Sequence, residues 1–313
     1  VLQAQTSIKK YIYTPHSFGG LEDKSVSEAV KTAQRKIKDG AKWYLQSDII
    51  KFFDNIPKSL VIDIVADLIN ESKFIKLFSE AITVELANMK ELGRKKEMFP
   101  LQDIGVAQGC CLSPLIGNIV LHDFDEMMNG NGVYCLRYID DFIILAPTRK
   151  KAIAAFRNGV RKLNDDGLDA YNPEKGDEKA RLDKTDNGLD FLGCEIKGEK
   201  IKPNKKTRDR LIEKIDKIIS ESKQLLSNPQ ECYINRKSFL ETLKSINNIL
   251  LGWGNQYSYC NDRREMEKLD KIINDRLSTY LALYRKHLNK CEDNDFINKR
   301  RLLGVHPLID SLN

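Results

Sequence analysis

The chain has no Cys-x-x-Cys pair, and its seven cysteines are an odd number scattered along the sequence. A disulfide framework and a zinc site are therefore not expected, and a reducing cytoplasm is the expected compartment. No apolar run is long enough to span a membrane, and the N-terminus lacks the pattern of a signal peptide. Internal repeats and low-complexity tracts are also missing. These absences favour an ordinary soluble protein with no membrane partner.

Positive charge is in only small excess, because 51 lysines and arginines face 45 acidic residues and leave a net charge of +6. This balance is compatible with a polyanionic partner but does not identify one. A length of 313 residues suits about two domains with a real core. The first residue is Val1 rather than Met, so we expect an upstream segment that was removed or a start inside a longer protein.

Periodicity predicts an α+β domain to about residue 202, followed by a small helical bundle. Residues 1–22 show little periodicity, and Ser25 with Glu28 forms a capping box before a helix that Gly40 closes. Strands are predicted at Trp43–Ile49, Val133–Tyr138, Phe142–Ala146 and Asp190–Ile196, with a hairpin turn at Lys197–Lys200. Helices are predicted at 58–70, 74–91, Ser113–Met128 and 150–165, with a charged loop at Lys90–Glu97 and three helical stretches after Lys205.

Asp140 and Asp141 are adjacent in the short connection between two apolar strands. Like charges at such a tip repel each other and contribute nothing to a core, so a bound cation would explain them. An Asp-Asp pair in a solvated turn is also common, and the pair alone leaves that alternative open. The flanking strands favour the metal interpretation, because they hold both carboxylates on a rigid scaffold.

Asp48 lies at the C-terminal end of a predicted strand, where it is able to face the same ion. A hard divalent cation needs oxygen ligands from more than one segment, and Asp48 with Asp140 supplies them. The alternative is that Asp48 caps a turn.

The run from Gly105 to Pro114 combines flexible glycines with a helix start, although a plain loop has the same pattern.

Taken in order, these segments resemble the successive palm motifs of reverse transcriptases, and the group II intron and antiphage-defence branch of bacteria most of all. The resemblance covers about residues 40–200 and rests on Asp48 with Phe52-Phe53-Asp54, Gln108-Gly109 with Ser113-Pro114 and Asn118, Tyr138-Ile139-Asp140-Asp141, and Phe191-Leu192-Gly193. Gly252–Tyr257 is similar to the thumb segment of intron-type enzymes. Ser17–Gly20 resembles a finger motif without its arginine-containing continuation, and Ala107 stands where proline is usual.

The resemblance implies a right-hand polymerase with an antiparallel palm sheet and an α-helical thumb. The implied boundaries are 1–40 for partial fingers, 41–203 for the palm with finger elements, 204–290 for the thumb and 291–313 for a C-terminal tail. The upstream part of the fingers, with basic residues that hold the triphosphate, would be missing from this sequence.

The implied activity is that of an RNA-directed DNA polymerase that adds dNTPs to a primer with two Mg²⁺ ions, for which Mn²⁺ can substitute. Asp48 and Asp140 would bridge the ions, with Asp141 and the carbonyl of Ile49 as further ligands. Phe53 is implied to exclude a 2′-hydroxyl, and Gln108 and Gly109 are implied to lie at the nascent base pair. The implied contacts to primer and template are Tyr138, Phe191, Leu192 and Gly193.

The expected partners are an RNA template, a DNA primer or product, and dNTPs. A dedicated non-coding RNA is also expected, because a charge of +6 is small for holding a duplex by phosphate contacts alone. The basic residues between Lys205 and Arg210 are candidates for such contacts. Antiphage defence is the expected role, since only about twenty residues follow the thumb and neither a strongly basic region nor a nuclease module is seen.

Three alternatives are weighed against that interpretation. A group II intron maturase uses the same polymerase core. A non-catalytic RNA-binding scaffold is disfavoured, because all three aspartates are present. An RNA-directed RNA polymerase is disfavoured by Phe53.

Overall fold

The structure is a computed structural model that describes residues 6–83, 89–93, 103–107, 109–292 and 295–312. The chain divides into two compact units, one of residues 1–192 with 196–199 and one of residues 193–195 with 200–313. Within the described residues, no helix is both long and apolar enough to cross a membrane. The finer division into fingers, palm, thumb and tail stays a prediction.

The chain up to residue 203 contains both helices and short strands. The helices are α1 Thr6–Ile12, α2 Val26–Lys38, α3 Phe52–Asn55, α4 Lys58–Leu68, α5 Ser72–Ile82, α6 Met89–Leu92, α7 Ser113–Val120, α8 His122–Met127 and α9 Arg149–Asp165. The strands are β1 Trp43–Asp48, β2 Tyr134–Tyr138, β3 Asp141–Ala146, β4 Arg181–Lys184, β5 Leu189–Phe191, β6 Cys194–Lys197 and β7 Lys200–Pro203.

The main sheet has four strands in the order β2-β3-β1-β4, and each neighbouring pair is antiparallel. The register of β1 against β3 runs from Trp43 opposite Ala146 to Asp48 opposite Asp141. Side chains of the central strands are buried under α2, α7, α8 and α9, with aromatic contacts such as Phe124 against Phe142 at 5.5 Å between ring centroids. The packed sheet therefore fixes the strand ends that carry the acidic residues.

The second sheet contains β5, β6 and β7 in that order. The predicted strand Asp190–Ile196 is wrong as one element, because the backbone breaks at Leu192 and Gly193, whose φ angles are +49° and +81°. A strand cannot continue through two left-handed residues. The hairpin turn at Lys197–Lys200 is confirmed, with Gly198 at a φ of +56°.

Several other sequence expectations need correction. The predicted helix Ser113–Met128 divides into α7 and α8 at Leu121, and the predicted helix 74–91 is interrupted after Ile82, where α5 ends. Residues 90–92 of the expected charged loop lie in α6, while residues 94–97 lie outside the described part of the chain. Three elements of this region were not predicted, α1, α3 and β4, and β7 was expected only through the hairpin turn that precedes it. The strand β4 is polar and short, so only its pairing with β1 reveals it.

The second unit is helical after β7, as its periodicity predicted. Its helices are α10 Lys205–Leu225, α11 Pro229–Ile234, α12 Phe239–Gln256, α13 Arg263–Leu288 and α14 Phe296–Leu303. Helix α14 lies in the predicted tail and was not expected. Leu211, Ile215 and Ile219 form a buried stripe on α10 that packs with Ile246 of α12 and Tyr280 of α13. Asn204 begins α10 by accepting a hydrogen bond from the Thr207 amide.

Candidate active site

The turn between β2 and β3, residues 138–141, is called the aspartate turn below. Tyr138 and Asp141 pair across the hairpin, and Ile139 between them has a φ of +62°. A β-branched side chain is rarely found in the left-handed region, because its branches crowd the backbone. The strained residue makes the connection tight enough to hold both aspartates at the end of the sheet.

Asp48 lies beside both residues of the Asp-Asp pair. It is directly opposite Asp141 in the register, and the amide of Ile49, the next residue, donates to the Asp140 carbonyl over 3.1 Å. Gln46, two residues earlier in β1, has its Nε2 3.4 Å from Oδ1 of Asp141. Three carboxyl groups from two chain segments therefore meet at one end of the main sheet.

The acidic side chains at this end of the sheet lie close together and partly buried, and the pKa values of two of them are raised. Burial, followed by the charge of Asp48, raises the pKa of Asp140. Burial also raises the pKa of Asp141 to about 6, although the hydrogen bond from Gln46 opposes the rise. A positive charge placed among these groups would offset the cost of ionising them.

Lys179 supplies a positive charge, since its Nζ lies 3.0 Å from Oδ2 of Asp48. Its hydrogen bond with Asp48 raises the pKa of the lysine. The ammonium is also 5.0 Å from the ring centroid of Tyr171, whose amide donates to the carbonyl of Asp48. The lysine is in a polar loop 131 residues from its partner, so sequence patterns gave no signal for it.

A cavity of about 500 Å³ opens beside these groups. Five of the residues singled out in the sequence line it, namely Asp48, Ile49, Phe53, Gly109 and Asp140. Asp141 adjoins Asp48 in the sheet but does not line the cavity. Among the described residues, no three acidic, histidine or cysteine side chains are already gathered around one point as metal ligands. Asp48 and Asp140 therefore place two carboxylates at the cavity wall, and Asp141 places a third next to Asp48.

Phe53 forms part of the cavity wall, and Phe52 beside it is buried in the core. The two rings are 5.1 Å apart between centroids. Helix α7 passes closely behind them because residue 117 is glycine: a Cβ there would lie 2.8 Å from Cε1 of Phe52 and 3.8 Å from Cε1 of Phe53. Gly117 therefore leaves the room that the two rings occupy beside the cavity.

The other sequence-predicted positions do not line this cavity or lie outside the described residues. Gln108 is outside the described residues. Tyr138 is half-buried at the end of β2, whereas Phe191 is packed in the core with 1% of its surface exposed. Leu192 and Gly193 form the left-handed break after β5. The carbonyl of Gly193 accepts hydrogen bonds from the Asn204 amide and the Thr207 hydroxyl, each over 2.9 Å.

The basic start of α10 has two different environments. Arg208 forms an ion pair with Glu265 of α13, which removes it from the candidates for phosphate contact. Arg210 is exposed and lines a second cavity, of about 330 Å³, together with Lys214 and Trp253. Trp253 packs against Tyr257 with ring centroids 4.8 Å apart, and Trp253 also packs on the buried core of the helical unit.

Arg137 was not singled out in the sequence, although its position carried a signal. It is an arginine inside the otherwise apolar run before the aspartate turn, and its side chain is completely buried. A buried guanidinium needs hydrogen-bonding partners from several segments. Sequence alone does not identify those partners, because they lie up to 120 residues away along the chain.

Two protein families match the chain in separate regions. The family described as reverse transcriptase (RNA-dependent DNA polymerase) matches residues 3–196, which is more than half of the chain. The group II intron maturase-specific domain matches residues 233–299.

Curated relatives and solved structures are also similar to parts of the chain. Protein YkfC of Escherichia coli K12 is 23% identical, over 62% of this chain and 58% of its own length. Group II intron-encoded protein LtrA of Lactococcus lactis is 30% identical, over 39% of this chain and 19% of its own. Telomerase from Candida albicans, in a complex with a fragment of telomeric RNA, has a TM-score of 0.44 at 13% identity, over 96% of this chain and 57% of that one. The chain thus spans less than two thirds of the length of these relatives.

Proposed function

Since this chain belongs to the reverse transcriptase (RNA-dependent DNA polymerase) family, we propose that it is an RNA-directed DNA polymerase that extends a primer with dNTPs. The reaction transfers a nucleotide to the 3′-hydroxyl of the primer and releases pyrophosphate. The observation that carries the proposal is the antiparallel register that brings Asp48 and Asp140 to one cavity beside Phe53. The RNA template and the DNA primer belong to the same proposal.

The carboxylates fit a pair of Mg²⁺ ions by their chemistry. Asp48 and Asp140 would hold the ions, with Asp141 as a supporting ligand and the carbonyl of Ile49 as another. Hard divalent cations prefer carboxylate and carbonyl oxygens, and the raised pKa of Asp140 reflects a site that favours added positive charge. Bound Mg²⁺ stabilises the charge on the attacking and leaving oxygens, and Mn²⁺, with similar ligand preferences, would substitute.

Lys179 balances the charge of Asp48 until a metal ion does so. The Lys179 ammonium contacts Oδ2 of Asp48 at 3.0 Å, so it would have to move from that oxygen for Asp48 to hold an ion there. The displacement costs little, because the lysine side chain is 60% exposed and ion pairs at such sites are weak. The lysine thereby leaves the carboxylate accessible.

Phe53 and Gly109 form the proposed nucleotide side of the cavity, and Gln108 belongs to the same proposal. The ring of Phe53 would lie against the sugar and leave no space for a 2′-hydroxyl. Gly109 has a φ of +84° with nothing within 4 Å of a Cβ position, so its backbone is open to an approaching base pair.

Primer and template are proposed to contact Tyr138 and the Phe191-Leu192-Gly193 segment. Because the Phe191 side chain is buried, it would act by supporting the half-buried residues Leu192 and Gly193 after it. Arg210 and Lys214 line the second cavity and are the proposed phosphate contacts of the helical unit.

Antiphage defence is the biological role that we attach to this activity, with a dedicated non-coding RNA as template and partner. It is supported by the modest net charge of +6, which suits shape-specific RNA contacts better than non-specific binding.

The second candidate role is that of a group II intron maturase, which is favoured by the match of residues 233–299 to the maturase-specific domain. Sequencing of the RNA bound to the protein in its native host separates the two, since a maturase would carry its intron.

Primer extension on an RNA template tests the proposed activity. Wild-type protein with Mg²⁺ and dNTPs should extend the primer, and the double substitution Asp140→Ala with Asp141→Ala should abolish extension while the protein stays folded. The matched control is Asp165→Ala with Asp186→Ala, two exposed aspartates of the same unit. Extension by the first double variant at the wild-type rate would disprove the assignment of the metal ligands.

A further inference from the structure

The aspartate turn is held in a conformation that its own sequence does not favour. Ile139 is left-handed at a φ of +62°, and a β-branched residue leaves that region unless its surroundings prevent it. Asp140 and Asp141 follow directly, so a relaxed Ile139 would rotate both carboxyl groups away from Asp48. The contacts that hold Ile139 are therefore part of the machinery that aims the aspartates.

Arg137 makes the first of these contacts. Its Nη1 donates to the carbonyl of Ile139 over 2.8 Å. The rest of the guanidinium is anchored by Asp125 of α8, with Nε to Oδ1 at 2.7 Å and Nη2 to Oδ2 at 2.5 Å. Both side chains of this ion pair are at most 2% exposed. The bidentate geometry fixes the guanidinium plane, and the plane in turn fixes the Ile139 carbonyl.

Two further side chains complete the surroundings of the guanidinium. Nη2 lies 2.9 Å from the hydroxyl of Ser17 and 3.0 Å from Oδ1 of Asn118 in α7. Nδ2 of Asn118 donates to the carbonyl of Gly19 over 2.9 Å. Arg137 therefore joins α7, α8 and the N-terminal segment to the aspartate turn in one buried polar network.

The segment Ser17–Gly20 closes on the turn from the other side. Its backbone pairs with the strand that precedes the turn, since the Phe18 amide donates to the Arg137 carbonyl over 2.9 Å. A Cβ on Gly19 would lie 2.5 Å from the amide nitrogen of Ile139 and 2.7 Å from its Cγ1. Only glycine at this position lets Ile139 occupy its observed place.

From these contacts we propose that Arg137 and Gly19 are positioning residues, which clamp Ile139 between a buried guanidinium and a glycine and so aim Asp140 and Asp141 at the metal and the primer end. The proposal rests on the polymerase function proposed above. It assigns Ser17–Gly20, the segment that resembles a finger motif in sequence, a structural role at the aspartate turn.

Gly19→Ala is the first test, because it crowds Ile139 without touching the charges of the network. With Mg²⁺ and dNTP at saturation, kcat for primer extension should fall about 100-fold, since displacements near 1 Å have such effects, while the dNTP KM stays within about twofold. The Mg²⁺ concentration for half-maximal rate should rise. Val65→Ala, a core substitution in α4, is the control for lost stability and should leave both kinetic constants unchanged.

The second test removes the guanidinium without leaving a buried unpaired charge. Arg137→Met combined with Asp125→Leu replaces both charged partners by apolar side chains, which buried sites tolerate better than the loss of one partner. This double variant should fold and yet show the same fall in kcat as Gly19→Ala. Arg137→Lys should be intermediate, because one ammonium cannot bind Asp125 bidentately and also reach the Ile139 carbonyl.

A measurement that does not need activity separates this proposal from the proposed function. Mn²⁺ binding, followed by electron paramagnetic resonance, should weaken about 10- to 100-fold in Gly19→Ala and in the double variant, as for other residues that orient metal ligands. If the wild type binds Mn²⁺ but extends no primer, the polymerase function fails and the positioning role stands. Wild-type Mn²⁺ affinity in both folded variants would overturn the positioning role, and so would the absence of Mn²⁺ binding by the wild type.

Discussion

At the scale of single residues, Phe53 determines the sugar that the cavity would accept. Its ring is half-buried between Phe52 and the cavity, so it is neither a plain core residue nor a free surface side chain. Phe53→Ala opens the place of a 2′-hydroxyl and should raise the use of ribonucleotides relative to deoxynucleotides by about tenfold or more, the effect expected for a steric contact of about 1–3 kcal/mol.

Single-nucleotide incorporation of ATP and dATP by the folded variant measures this ratio. Phe53→Tyr is the control, because it keeps a ring of the same width and should preserve discrimination. A ratio that does not change in Phe53→Ala would place the sugar-discriminating group elsewhere.

Asp141 is a residue whose charge opposes folding. Burial raises its pKa from 3.8 to about 6, so the folded protein binds this proton more tightly than the unfolded chain does. The cost is fully present above pH 6 and disappears as the pH falls toward 3.8, and it amounts to at most about 3 kcal/mol. Asp141→Asn, measured in EDTA, should therefore unfold at a higher temperature than the wild type at pH 7.5, with a difference that shrinks toward pH 4.

Asp183 is the matched control for this comparison. Its pKa is lowered by the hydrogen bond from Arg181, so Asp183→Asn should leave stability unchanged or slightly lower it. Equal melting temperatures of Asp141→Asn and wild type across this pH range would contradict the assigned cost of the buried carboxylate.

At the scale of elements, helix α7 sets the position of the two phenylalanines. Gly117→Ala brings a Cβ to 2.8 Å from the buried ring of Phe52, which lies beside both Phe53 and the cavity. The substitution should destabilise the fold by about 1–3 kcal/mol, as overpacked cores do. It should also narrow the cavity and raise the dNTP KM several-fold, because the displaced rings approach the incoming nucleotide.

Gly159→Ala on α9 is a control of the same size. Its Cβ would lie 2.8 Å from the sulfur of Met128, far from the lining of the cavity. Thermal unfolding should report a loss of stability in both variants, and single-turnover kinetics should report a change of KM only for Gly117→Ala. A change of KM shared by both variants would trace the effect to general destabilisation.

At the scale of the whole molecule, the small net charge makes a bound, structured RNA the expected state of the protein. Each phosphate contact needs its own cation, and an excess of six positive charges is small for holding a duplex by electrostatics alone. Purification from the native host at high salt, followed by nuclease treatment and RNA sequencing, should recover one defined RNA species. Random cellular fragments, together with full activity on unrelated templates, would reject this expectation.

Local patterns in the sequence predicted most elements and the acidic residues of the candidate site. Periods of two and of 3.6 residues identified β1, β2, β3 and the long helices α9, α10, α12 and α13, because each buries one continuous face. Asp48, Asp140 and Asp141 stood out because charged side chains at the ends of strands do not contribute to a hydrophobic core. These features depend on neighbours along the chain, so the sequence is sufficient to find them.

Only the tertiary structure decided which residues surround the aspartates. Register places Asp48 opposite Asp141, and chain folding brings Lys179 to Asp48 and Ser17 to Arg137 across 131 and 120 residues. The left-handed break at Leu192 and the two-part helix at Leu121 were likewise found only in the structure. A residue's neighbours along the chain determine its periodicity, but its partners in a buried network depend on the packing of the whole unit.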